Sequence, residues 1–431
     1  MSTDWKNRLA RAARTACRAP ARLAGAFAIM AFALTSPAMA QAPLKIGFGM
    51  SLTGPLAAMG KAAVISMQIW AEDVNTRGGL LGRKVELVYY DDQTNPATVP
   101  GIYSKLLDVD RVDLVVSGYG TAVVAPAMPF VMQRNLLFVS LFGLNVNEKF
   151  GYDRYFSMMP AGPEPAIGWT AGYFDAAASL TPKAQTIALA GADAEYPHNA
   201  LEAARAHAKR LGLRIVYDKT YPMSTSDYAP VLRSMAATNP DLVFVATYPN
   251  DTVGMVRAAN EVGLKARMFG GAMVGTQYLS IKTQLGPLLN GVVSLETFVP
   301  EISAKLPTID AFLKKYQARA GKEGVDPLGY YLPPFAYAEM QVLEQAVRAV
   351  GSLDQGKLAE YMHKATFDTV AGQFSFGKNG EWMKNHILYA QYGGITSNDL
   401  QEWVKPGRHT VLYPPEYKTG PVRAPFESNR K

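Results

Sequence analysis

The chain has 431 residues, of which 48% are hydrophobic and 18% charged, with 43 Lys and Arg against 36 Asp and Glu for a formal charge of +7, and one cysteine. That length has room for two domains, and a single cysteine excludes internal disulfides and cysteine-ligated zinc. The positive charge invites a nucleic-acid partner, but its placement along the chain removes that reading.

Residues 1–40 carry Lys6, Arg8, Arg11, Arg14, Arg18 and Arg22, then the apolar run Leu23 to Leu34, then Ala38-Met39-Ala40. A basic segment, a short apolar segment and a small-x-small site predict an export signal cleaved after Ala40. The apolar run of 12 residues is well short of the roughly 20 needed to cross a bilayer, so a retained anchor is the weaker reading. Beyond it, 37 basic residues face 35 acidic ones, and the excess charge belongs to targeting rather than to nucleic-acid binding. Cys17 precedes the apolar run and is not placed for lipid attachment, which leaves the exported chain without a thiol. No later apolar run reaches 18 residues, so a soluble periplasmic protein with no membrane insertion is expected.

From Leu44 to Asp92 the chain reads strand, tight loop, helix, glycine turn, strand. Leu44 to Met50 is an apolar run of strand length, broken by Ser51, Thr53, Gly54 and Pro55. Val64, Met67, Ile69, Trp70 and Val74 then recur at helical spacing until Arg77-Gly78-Gly79, and Val85 to Tyr90 is the next strand. The βα alternation continues with helices at 95–107 and 122–133 and strands at 112–116 and 136–140. A second series follows Pro160, with helices at 166–179, 197–211, 228–237 and 252–262 and strands at 186–190, 213–217, 241–246 and 266–270. After a strand at 292–297, helices at 309–320 and 334–350 lack a sheet of their own and are expected to complete the first lobe. The predicted fold class is α/β, two doubly wound Rossmann-like lobes.

Ser51-Leu52-Thr53-Gly54-Pro55 with Gly60, Asn75 with Gly78-Gly79 and Gly82, Asp91-Asp92 with Pro96, Gly118, Pro240-Asp241, Arg257 with Gly263-Leu264, and Asp368-Thr369-Val370 before Gly372 recur in order over nearly all of the chain after the signal. In that order and spacing the sequence resembles the substrate-binding proteins of ABC importers, in the branched-chain amino-acid (leucine-binding) family with the type I periplasmic-binding fold. The resemblance implies two lobes joined by three hinge crossings, near 155–159, 293–297 and 370–376. It places residues 41–156 plus 298–369 in an N-terminal lobe and 157–297 plus 370–431 in a C-terminal lobe, with the tail from Gln391 wrapping the latter as loop and extended chain. It also implies a monomer without cofactor or metal, which delivers a small solute to an inner-membrane ABC permease.

Strand C-termini and helix N-termini of both lobes should face the cleft, where exposed N–H groups can hold an anion. The resemblance places Thr121 and Ala122 at the family's carboxylate-binding loop, and Thr121 also fits a plain helix cap. Phe142, Gly143 and Leu144, followed by Asn145, stand where relatives carry a ligand-holding threonine, and Met59 stands where they carry an aromatic residue. Tyr196 and Tyr248 match two aromatic positions of the cleft, each with an apolar face and a polar tip. Ala272 stands where amino-acid binders place the acid that pairs with the ligand's ammonium group. A buried ammonium without a counter-charge costs several kcal/mol. An apolar or aromatic carboxylate, or an amide, is therefore expected, with a branched-chain amino acid as the alternative if Asp193, Glu195 or Glu296 supplies the charge. Thr94 and Gly120 occupy the positions of the family's lobe disulfide.

Enzyme readings find less support. Five residues separate Gly54 from Gly60 and Ala62 follows Gly60-Lys61, which breaks the phosphate-loop pattern. No dinucleotide fingerprint or nucleophile elbow occurs, the five histidines are scattered and read as surface residues, and the adjacent Asp91 and Asp92 point to opposite faces of a strand. An exported sensor or an unrecognised enzyme on the same fold is the alternative to a receptor.

Overall fold

The computed structural model describes residues 41–427; the expected export signal, residues 1–40, lies outside them. The first sheet has the order β2-β1-β3-β4-β5 and is wholly parallel. Its strands are β1 (Leu44–Met50), β2 (Val85–Asp91), β3 (Leu114–Tyr119), β4 (Phe138–Leu141) and β5 (Tyr155–Ser157). Every residue of β3 and β4 is buried, as a parallel strand covered on both faces requires.

The second lobe contributes β6 (Thr186–Ala192), β7 (Arg214–Tyr221), β8 (Leu242–Thr247), the short β9 (Lys265–Ala266), β10 (Met268–Met273) and β11 (Val293–Glu296). An antiparallel hairpin, β12 (Thr366–Thr369) with β13 (Gly372–Ser375), belongs to neither main sheet. The chain then enters the second sheet through β14 (Leu388–Tyr392) and β15 (His409–Tyr413), and β16 (Phe426–Glu427) pairs with β9. The second sheet runs β15-β14-β11-β10-β8-β6-β7, with only β14 antiparallel to its neighbours. The tail from Gln391, expected as loop and extended chain, therefore supplies the end of β14 and all of β15 to this sheet. The boundary expected at 369/370 falls at the turn of the β12–β13 hairpin, and the chain passes from that hairpin to the second sheet over residues 376–387.

Helices Ile309–Glu323 and Leu332–Val350 pack on the first-lobe helix Ala57–Thr76, with Trp70 Nε1 donating to Glu344 at 3.0 Å and Lys315 paired with Asp73 at 2.6 Å. The start of helix Ala57–Thr76 is pressed against the preceding loop: a Cβ at Gly60 would lie 1.9 Å from the Ser51 carbonyl oxygen. Asp91 and Asp92 hold that loop. Asp91 accepts from Leu52 N, Thr53 N and the Thr53 hydroxyl, and the buried Asp92 accepts from the Ser51 hydroxyl at 2.6 Å.

The long helix expected over 122–133 is broken into Thr121–Val124, a tighter turn Ala125–Ala127 and Met128–Gln133, because Pro126 and Pro129 cannot donate backbone hydrogen bonds. Two histidines expected at the surface are buried. His207 stacks on Phe174 with ring centroids 4.8 Å apart, and His409 lies against Glu296 and Glu301.

Candidate functional site

The C-terminal ends of β1, β3 and β4 face those of β8 and β10, and the residues just past them enclose a cavity of about 50 Å³. The first lobe contributes Leu56, Thr94, Tyr119 to Val123 and Phe142, with Tyr331 at the start of helix Leu332–Val350. From the other side come Met159 on the first crossing, Trp169 in helix Pro165–Ala178, Tyr196 in helix Glu195–Arg210, Tyr248 capping helix Pro249–Glu261, and Val274.

Phe142 is the hub. Its ring meets Phe335 at 5.0 Å, Tyr331 at 5.7 Å, Tyr119 at 6.4 Å and, across the cleft, Trp169 edge-on at 6.1 Å. Its φ of 59° is in the left-handed region, which a bulky side chain enters only when its surroundings hold it there. Strain of this kind concentrates at functional loops.

The polar atoms in the wall are mostly hydroxyls. The Tyr119 and Tyr331 hydroxyls lie 2.9 Å apart, and the buried Tyr278 hydroxyl beside them has no hydrogen-bond partner. Trp169 Nε1 donates to the Tyr196 hydroxyl at 3.0 Å, which donates in turn to the Ala272 carbonyl at 3.0 Å. Burial pushes the Tyr119 phenol up to about 12 and those of Tyr196, Tyr278 and Tyr331 well above their usual range. All four are neutral hydroxyls at physiological pH.

Of the nine residues expected to touch a ligand, the cavity is lined by Thr121, Ala122, Phe142, Tyr196 and Tyr248. Met59 is buried in the core one turn beyond Leu56, which takes the lining position. Gly143, Leu144 and Ala272 stand behind the wall. Leu144 N already donates to the Thr121 hydroxyl at 3.1 Å, so that loop amide is spent on positioning Thr121. Gly120 precedes Thr121 at φ 107°, a conformation that suits glycine, and it lines the cavity together with Thr94. Tyr119, Trp169 and Tyr331 were not singled out from sequence, where each reads as ordinary core.

None of the described residues lining the cavity carries a charge. The carboxylates that could have replaced an acid at position 272 are engaged elsewhere. Glu195 pairs with Lys149 at 2.6 Å, Asp193 with His198 at 2.9 Å, and Glu296 with Lys282 at 2.7 Å. Asp251, one turn into the helix that Tyr248 caps, accepts from the Tyr221 hydroxyl at 2.6 Å, and burial pushes its carboxyl up to about 6.

Direct contacts bridge the lobes. Besides Lys149–Glu195, Asn199 Nδ2 donates to the Leu144 carbonyl at 3.2 Å, and Leu279 N donates to Asp326 at 3.1 Å. Two α/β lobes drawn together over a small aromatic cavity at their strand ends, with hinge strands passing between them, define the two-lobed solute-binding class.

The chain belongs to the periplasmic binding protein family, whose family model matches residues 43–393. It is 26% identical over 368 residues to the leucine-, isoleucine-, valine-, threonine- and alanine-binding protein of Pseudomonas aeruginosa, covering 84% of this chain and 94% of that one. Among solved structures, a solute-binding protein of an R. palustris ABC transporter in complex with 4-hydroxybenzoate superposes with a TM-score of 0.70 at 18% identity, covering 86% of this chain and 95% of that one. The branched-chain amino acid transporter substrate-binding protein of Streptococcus pneumoniae in complex with isoleucine superposes with a TM-score of 0.67 at 22% identity, covering 83% and 97%. The fold is that of type I periplasmic-binding proteins.

Proposed function

We propose that the protein is an exported receptor of an ABC importer, which closes its two lobes over a small apolar or aromatic carboxylate and presents the closed form to an inner-membrane permease. The observation that carries this reading is the cavity wall: aromatic faces and neutral hydroxyls from both lobes, with no charged residue among the fourteen described lining residues. Ring faces of Phe142, Trp169, Tyr196 and Tyr248 suit a flat apolar solute, and the Tyr119 and Tyr331 hydroxyls suit a polar substituent. A carboxylate is best placed at Thr121 and Ala122, where backbone N–H groups begin a helical turn beside the Thr121 hydroxyl. The reading also takes residues 1–40 as a cleaved signal, the protein as a monomer, and the two lobes as 41–156 plus 298–369 and 157–297 plus 370–431.

Relatives whose names specify branched-chain amino acids favour an α-amino acid as the second reading. Against it stands the cost of burying an ammonium group with no carboxylate in the wall, several kcal/mol and enough to abolish micromolar affinity.

Native mass spectrometry of the protein recovered from the periplasm tests both parts together. The expected result is a chain starting at Gln41 carrying one small acid that lacks an amino group. A co-purified α-amino acid would overturn the ligand assignment, and a chain retaining residues 1–40 would overturn the signal.

A further inference from the structure

Several side-chain polar groups of the cleft wall are already engaged within the protein. The Thr94 hydroxyl donates to the Thr53 carbonyl at 2.9 Å and accepts from Leu56 N at 3.2 Å. Trp169 and Tyr196 form a chain of donors that ends on the Ala272 carbonyl. Tyr248 is only half-buried, so water can serve its hydroxyl. Two places keep a proton without an acceptor. Thr121 Oγ1 accepts from Leu144 N, and its own proton goes to no described residue. The Tyr119 and Tyr331 hydroxyls share a single hydrogen bond of 2.9 Å. Two O–H groups joined by one bond leave one proton over.

Which of the two tyrosines carries that proton is immaterial, because both line the cavity and they are only 5% and 3% exposed. Their rings meet edge-on with centroids 6.0 Å apart, and each also packs on Phe142, which has no acceptor oxygen to offer from its side chain. Tyr278 stands beside them, its ring 6.3 Å from that of Tyr331, but its hydroxyl has no hydrogen-bond partner and so does not take the spare proton. A buried O–H without an acceptor keeps the full cost of leaving water. The missing acceptor must come from what occupies the cleft.

We propose that the cleft is built for a solute with two acceptor groups, a carboxylate held at Thr121 and a second oxygen, a ring hydroxyl or carbonyl, that takes the spare proton of the Tyr119–Tyr331 pair. The inference rests on the carboxylate reading and narrows it to ring-oxygenated aromatic acids, with Tyr119 and Tyr331 as the specificity-determining residues. An unsubstituted or methyl-substituted acid leaves the proton stranded, and a ring amine brings two donors and a poor acceptor. A site that hydrogen-bonds a substrate oxygen discriminates against the analogue without it far more strongly than an apolar pocket discriminates by one methyl group.

Calorimetry at pH 7 on the intact exported chain, with benzoate and its 3- and 4-substituted hydroxy, methyl and amino derivatives, tests this. One hydroxybenzoate is expected to bind at least tenfold more tightly than benzoate and than the methyl and amino isosteres at the same ring position. Tyr119→Phe/Tyr331→Phe keeps both rings and removes both hydroxyls together, so the double variant should unfold at or above the parent's midpoint temperature. It should bind that hydroxybenzoate no better than the methyl isostere, with affinity for the methyl compound within about threefold of the parent's. Either single variant leaves one hydroxyl with a free proton and should keep part of the preference. Hydroxy and methyl acids binding alike, or a double variant that keeps the full preference, would overturn the inference while leaving the carboxylate reading in place. A double variant that loses both acids equally would overturn it by showing that the tyrosines hold the carboxylate itself. If no benzoate binds, the carboxylate reading falls and this inference with it.

Discussion

Phe142→Ala is expected to lower stability and solute affinity together. The ring is buried, touches four aromatic neighbours and reaches across the cleft to Trp169. Truncating a buried Phe costs about 3–5 kcal/mol through lost burial and the cavity left behind. Because one contact is made only when the lobes meet, part of that loss falls on the closed form alone. A loss of about 2 kcal/mol there corresponds to roughly thirtyfold weaker binding. The backbone supplies a second, opposite-signed test. At φ 59° the alanine methyl is still strained, and glycine relieves about 1–2 kcal/mol of that. Phe142→Gly should therefore equal or exceed Phe142→Ala in thermal stability, although it removes one carbon more. Unfolding curves and solute titrations on the two variants check this. An Ala variant that binds within twofold of the parent, or a Gly variant markedly less stable than Ala, would contradict the account of this loop.

The second large effect is expected at Lys282, in helix Leu279–Leu285. Its ammonium lies 2.7 Å from Glu296 at the end of β11, with the two side chains 5% and 2% exposed. Trp403 and Tyr392 rings lie 5.6 and 5.7 Å from the same ammonium, and the Tyr392 hydroxyl donates to Glu296 at 2.5 Å. Removing one partner of a buried pair strands the other's charge, at a cost of about 3–5 kcal/mol. Lys282→Met should lose that much in chemical denaturation. Lys282→Met/Glu296→Gln should recover more than half, because a neutral amide still accepts from Tyr392 and no buried charge is left unpaired. A single variant within about 0.5 kcal/mol of the parent, or a double variant less stable than the single, would show that the pair does not hold the base of the second crossing.

The alternation of strand and helix was legible because parallel strands buried on both faces leave continuous apolar runs, such as Leu242 to Thr247, between amphipathic helices. The tail was not. Leu388–Tyr392 and His409–Tyr413 have the β-branched and aromatic character of strands, but Pro414, Pro415 and Pro421 suggested extended loop, and only tertiary pairing, of the first with β11 and of the second with the first, identifies them as sheet. At the site, Thr121, Phe142, Tyr196 and Tyr248 could be placed because the family resemblance points to them and each follows a strand end that the pattern located. Trp169 could not, since an apolar residue in mid-helix reads as core until the opposite lobe is present. Tyr331 had a usable signal: it immediately precedes Leu332-Pro333-Pro334, a helix start, and such starts face the cleft.

The central claim is that the cleft holds an aromatic or apolar carboxylate through ring faces and neutral donors, and that a described wall without a carboxylate disfavours an α-amino acid. Calorimetry of the unmodified exported protein against 4-hydroxybenzoate, benzoate, leucine and valine, at one pH and salt concentration, tests it most directly. The account predicts saturable one-to-one binding of at least one aromatic acid, with leucine and valine weaker by a hundredfold or more. Tight leucine or valine binding with both aromatic acids inert would contradict it.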